Sequence, residues 1–187
     1  MRPATSLLLA ALAAGGLGLA AGLWHASRPQ ALSTPAAPLP AGVVPAGPGD
    51  ALPHLVLEDL QGNSVELGGI APNRPLLVNV WASWCGPCIE EMPELQRFAD
   101  SQGDDGVQVV GLALDTPEAV AGFLQRIAVD YPVLLDQPGP ADASVWLGNT
   151  RGLLPYTVLV DARRRVVRQK LGPFKPGEIE EWATHRP

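Results

Sequence analysis

Cysteine and histidine are nearly missing from this chain, which has two of the first and three of the second among 187 residues. The histidines, His25, His54 and His185, lie far apart in sequence, and the cysteines, Cys85 and Cys88, form one C-x-x-C pair. Zinc would need two further ligands, so a single pair without a second is weak ground for a metal. Covalent haem attachment needs a histidine directly after the second cysteine, and that position is Ile89. A copper carrier would want methionine or histidine beside the thiols, and Met92 alone is near. Acidic residues are absent before Asp50. From Asp50 onward all 19 acids face 11 basic residues, a net charge of −8. That balance argues against a nucleic-acid partner, whose phosphates call for a basic face.

What is present divides the chain in three. Residues 7–24, LLLAALAAGGLGLAAGLW, carry no charge and follow only Arg2 and the amino terminus. As a helix this run would reach about 27 Å, close to the hydrocarbon thickness of a bilayer. A cleaved signal peptide would need small residues at its cleavage site, and Trp24 occupies a position that wants one. Gly18-Leu19-Ala20 would serve, but it lies inside the run. Residues 1–27 are therefore read as an uncleaved anchor, with a cleaved signal as the alternative, and no cysteine follows to carry a lipid. Either way the remainder is exported, because the positive end stays inside. Residues 28–49 contain six prolines and no acid, which reads as an extended spacer.

The third part, 50–187, alternates strand and helix patterns. PHLVLEDL and SVELGG flank a turn at Gln61–Asn63. PLLVNVWA (75–82) is a buried strand, followed by a helical pattern with Ile89, Met92, Leu95 and Phe98 at intervals of three. VQVVGLAL (107–114) is a second buried strand. Thr116-Pro117-Glu118 opens a helix to about Ile127. YPVLLD (131–136) is a short strand, and 139–150 is loop with one helical turn. Residues 156–172 read as a hairpin turning near Asp161–Arg164, and a last helix spans Lys175 to His185. This predicts an α/β sheet covered on both faces, with the cysteines at the carboxyl end of a central strand.

Three uses of the pair compete. As a staple it closes almost the smallest possible loop, where a disulfide stabilises least. The metal reading lacks ligands. A redox pair at a helix start fits best. Cys85 would sit at the helix N-terminus, where unpaired N–H groups and the macrodipole favour a thiolate. Cys88, one turn further in, would be the resolving thiol.

The stretch WASWCGPC resembles the active-site motif of thioredoxins. With the N-terminal anchor and the following IEEMPEL, the chain is more similar to the TlpA group of membrane-anchored thioredoxin-like reductases, which includes proteins serving cytochrome c maturation. The resemblance covers about residues 50–187. It implies a thioredoxin fold with an N-terminal β-hairpin and a helix-strand insertion, here 116–136. It implies that Pro93 kinks the active-site helix, and that Pro155, in LLPYTVLVD, is the cis-proline facing the cysteines. Client contacts would then fall on Trp84, Gly86, Pro87, Leu154, Pro155 and Tyr156. Thioredoxins carry a buried aspartate six residues before the first cysteine, where this chain has Asn79. The proton role moves to Glu91, which shares one side of the helix with Cys85 and Cys88 and would take up and return the resolving thiol's proton. The bland alternative is that Glu90, Glu91 and Glu94 form a solvated acidic face. Trp81 is read as core. The basic cluster Arg163, Arg164, Arg165, Arg168 and Lys170 is read as a solvated turn.

The sequence thus predicts a protein-disulfide reductase of the inner membrane, with a single N-terminal anchor and its domain in the periplasm. It expects no cofactor or metal. Its partners would be disulfide-containing proteins and a membrane thiol electron donor. The alternatives are a disulfide oxidant or isomerase, or a thiol-dependent module that binds apocytochrome or metal with little turnover.

Overall fold

A computed structural model describes residues 38–127 and 129–184. The expected anchor, 7–24, lies outside them. Among the described residues no helix is long and apolar enough to cross a membrane.

Seven strands form one sheet in the order β2-β1-β5-β4-β3-β6-β7. The strands are β1 (Val56–Asp59), β2 (Ser64–Glu66), β3 (Leu76–Trp81), β4 (Gln108–Leu114), β5 (Val133–Asp136), β6 (Tyr156–Val160) and β7 (Val166–Leu171). β3, β4 and β5 run parallel, whereas β1, β6 and β7 pair antiparallel with their neighbours. The helices are α1 (Gly86–Ser101), α2 (Pro117–Leu124), α3 (Ala143–Trp146) and α4 (Glu178–Thr184). This is a thioredoxin fold, with the β1–β2 hairpin ahead of it and α2–β5 inserted.

The period-two pleat explains how β3 can be buried throughout. Leu77 and Trp81 join a core with α1, α2 and α4 residues such as Leu95, Phe123 and Ile179. Leu76, Val78 and Val80 join a second core with Val110, Leu112, Leu134, Val158 and Val160 on the opposite face. Gly111 fits the first face because a Cβ there would lie 3.1 Å from the Trp81 indole nitrogen and 3.3 Å from the Tyr131 ring.

Helix ends follow local chemistry. Thr116 caps α2 by accepting from the Ala119 N–H. The helix proper stops at Leu124, not near Ile127, and the chain leaves it through a tightened turn in which the N–H groups of Arg126 and Ile127 share the Phe123 carbonyl. α4 starts at Glu178, not Lys175: Gly177 takes φ +76°, which a helix cannot contain. SVELGG is strand only to Glu66, after which Leu67 turns into the core in a 3-10 turn.

Two surface expectations change. The last residues of the proline-rich segment belong to the domain: Ala46 is buried, donating its N–H to Trp146 and accepting from the Gln169 amide, and Gly49 bonds to Val166. The basic cluster is mostly occupied by the fold. Arg164 donates to four carbonyls, those of Gly68, Ile70, Ala71 and Arg74. Arg165 reaches Gly49, Arg168 reaches Trp182, and Lys170 pairs with Glu178 at 2.8 Å.

Candidate active site

Cys85 is the N-cap of α1, and Gly86-Pro87 supplies its first turn, where a proline's missing N–H costs nothing. The Cys85 N–H bonds to Ala82, and its carbonyl accepts from Ile89. Cys85 and Cys88 are joined as a disulfide with Cα atoms 5.3 Å apart. Cys85 keeps 5 % exposure and Cys88 none, whereas Trp84, just before the pair, is 67 % exposed and Gly86 and Pro87 are also exposed. Only the first cysteine is within a partner's reach. The preceding loop is tied to β4, since Ser83 donates both its N–H and its hydroxyl to Asp115.

The facing loop comes from β6. Antiparallel register pairs Val80 with Tyr156, so residues 154–155 emerge at the sheet end that carries the cysteines. The Leu154–Pro155 peptide is cis, and Leu154 packs against the core cluster containing Cys85 and Cys88. Pro155 is buried, Leu154 half-buried and Leu153 exposed. Tyr156 requires a correction: its ring turns to the opposite face and its hydroxyl donates to the Leu147 carbonyl, so its side chain offers a client nothing. Burial pushes that hydroxyl up to about 12.

Glu91 lies under the cysteines on α1 and is 2 % exposed, so it is no part of a solvated acidic face. Its Oε1 accepts from Asn79 Nδ2 at 2.8 Å and its Oε2 from the Phe174 N–H at 2.9 Å. Asn79 Nδ2 also reaches Thr157 Oγ1 at 3.1 Å. Burial pushes the Glu91 carboxyl above the ordinary glutamate range, and the two donors and Lys170 only partly oppose this. Beside it lies a groove of about 370 Å³, lined also by Glu90, Pro93, Glu94, Pro173 and Phe174. Pro93 stands inside α1 without ending it.

The expected residues fall into two groups. Cys85, Cys88, Trp84, Gly86, Pro87, Leu154 and Pro155 gather at one sheet end, and Glu91 sits below them. Asn79, Thr157, Phe174, Lys170 and Asp115 complete the surroundings; Lys170 reads from the sequence only as part of a solvated turn, and Thr157, Phe174 and Asp115 escape a sequence reading. Asn79 and Thr157 meet only through strand register 78 residues apart, and nothing local signals it.

Residues 47–184 match the family model described as Redoxin. The chain is 29 % identical over 133 residues to the thiol-disulfide oxidoreductase ResA of Bacillus thuringiensis (strain Al Hakam), covering 71 % of this chain and 74 % of that protein. A thioredoxin-related protein from Neisseria meningitidis serogroup B superposes with a TM-score of 0.56 at 29 % identity, covering 68 % of this chain and 91 % of that one. StoA from Bacillus subtilis shares the fold, with a TM-score of 0.56 at 21 % identity over 72 % of this chain and 98 % of that one.

Proposed function

The chain belongs to the redoxin family, as a TlpA-like thiol-disulfide oxidoreductase of the thioredoxin superfamily, and on that premise we propose that it reduces protein disulfides on the exported side of a membrane. The observation that carries this is the asymmetric pair. Cys85 sits at a helix N-terminus with an exposed edge, and Cys88 is sealed one turn below.

In the dithiol form, the helix end favours a Cys85 thiolate. That thiolate attacks one sulfur of a client disulfide. The client S–S bond breaks, a Cys85–client disulfide forms, and the departing client thiolate takes a proton. Cys88 then loses its proton and attacks the Cys85 sulfur, releasing the second client thiolate and closing the Cys85–Cys88 disulfide. Two electrons pass to the client. The Cys88 proton goes to Glu91, whose proton affinity burial raises above that of an ordinary glutamate. The groove beside Glu91 gives that proton a way out to solvent. Client contacts fall on Trp84, Gly86, Pro87, Leu154 and Pro155, around the one reachable sulfur.

A reductant in an oxidising compartment must be recharged, so a membrane dithiol donor returns two electrons and two protons to the pair. Residues 7–24 anchor the domain near that donor in the inner membrane, and the rest of 28–49 spaces it away. Gly86-Pro87 between the cysteines, shared with reducing thioredoxins, favours reduction over the oxidant or isomerase reading. A module that only binds thiols would not turn over. Insulin reduction driven by dithiothreitol tests the proposal, with a Cys88→Ser variant trapping a client on Cys85. Catalytic turnover and a trapped Cys85 adduct are expected. Stoichiometric binding without turnover would replace the enzyme with a holder.

A further inference from the structure

Asn149 belongs to no helix or strand and touches neither cysteine, yet every hydrogen-bonding group it owns is engaged and it is 3 % exposed. Its N–H bonds to the Ser144 carbonyl at 2.8 Å, and its carbonyl accepts from Gly152 at 3.1 Å. Its side-chain amide closes a ring with one residue. Oδ1 accepts from the Leu153 N–H at 3.2 Å, and Nδ2 donates to the Leu153 carbonyl at 3.0 Å. The second Nδ2 proton points at Ser144 Oγ, 3.4 Å away. Ser144 is itself fully buried and held by the Asp142 cap of α3.

The amide therefore imitates a neighbouring strand for Leu153. A residue whose N–H and carbonyl are both occupied cannot pair with an incoming chain. Leu154 is different. Its N–H and carbonyl enter no hydrogen bond among the described residues, although Leu153 before it and Pro155 after it are both engaged. One free peptide edge thus stands at the sheet end that carries the cysteines, two residues before Tyr156, which pairs with Val80.

We infer that Asn149 is a positioning residue for protein clients: by holding Leu153 it presents the Leu154 peptide edge to an extended polypeptide segment flanking the client disulfide. The inference rests on the reading that clients dock across Leu154–Pro155. The client supplies one carbonyl and one N–H to that edge, while its disulfide reaches Cys85. A small disulfide has no peptide to pair, so it should not sense Asn149. Asn149 thereby separates protein disulfides from small ones without touching either.

The test compares Asn149→Ala and Asn149→Asp with the wild type in the full chain. Insulin serves as protein client and 5,5′-dithiobis(2-nitrobenzoate) as small disulfide. Asn149→Ala should raise KM for insulin about tenfold, with kcat, the small-disulfide rate and the reduction potential each within about twofold or unchanged. Asn149→Asp keeps the acceptor for Leu153 N–H and loses the donor, and should raise KM about threefold. Unchanged KM in both variants overturns the inference. So does an equal loss of small-disulfide reactivity, which would make Asn149 a general strut. A wild type that reduces the small disulfide but not insulin refutes the client reading itself, a different failure.

Discussion

The two faces of the sheet are built from the same strands and read very differently. On one, Leu76, Val78, Val80, Val110, Leu112, Val158 and Val160 make an aliphatic layer with few polar groups to satisfy. On the other, strand register lines up Gly111, Asn79, Thr157 and Lys170 as one row across β4, β3, β6 and β7. Glu91 from α1 closes over that row, held by Asn79 and Phe174. Each buried polar group costs stability unless paired, and here the pairing is nearly complete. Among the described residues the Trp81 indole nitrogen, in the same core, is the exception. The aliphatic face stabilises the fold, and the polar face spends part of that stability on placing a carboxyl under a thiol pair.

Substitutions on either face should break that contrast in different measurements. The largest effect is on the chemistry: Cys85→Ser should reduce insulin turnover to background with the urea midpoint of the folded chain changed little. Retained turnover would remove Cys85 as nucleophile. On the aliphatic face, Leu112→Ala should cost about 2–5 kcal/mol in urea unfolding, because the site is fully buried. Its reduction potential should stay at the wild-type value, and a shifted potential would mean that the two faces are not separable.

Glu91→Gln sharpens the contrast through pH. The folded state holds the Glu91 proton more tightly than the unfolded chain, whose ordinary value is 4.5. The stability this provides is complete below that value and is lost as pH rises through the folded value. Urea midpoints between about pH 4 and 8 should therefore fall more for wild type than for Glu91→Gln. Parallel curves would show that Glu91 carries no raised affinity. Thr157→Val is the mildest change. It removes one acceptor of Asn79 and should cost about 1 kcal/mol, with the pH dependence of insulin reduction displaced as well. A stability change with an unmoved pH profile would confine Thr157 to packing.

The same contrast governs what the sequence could reveal. Local spacing was enough for Cys85, Cys88 and Glu91, because each follows the one before it by three residues, and residues three apart on a helix are neighbours. Apolar runs were enough for β3 and β4. Pro155 was legible through its motif, and the cis peptide follows from the structure. Contacts that depend on register or on loops returning from afar were hidden. Phe174 meets Glu91 across 83 residues, and Arg164 reaches the 67–74 turn across 90 or more. Tyr156 was misplaced because strand pleat, not motif adjacency, decides which face a side chain takes. The packed end of the proline-rich segment escaped because proline density signals an extended chain whether or not that chain lies on a domain.

The most direct test of the reductase account is the reduction potential of the Cys85–Cys88 pair in the full chain, equilibrated against glutathione buffers at neutral pH. The account predicts a value at or below the glutathione couple, roughly −220 to −260 mV. A potential well above that range would make the protein an electron acceptor from its clients, and the assignment as a reductant would be wrong.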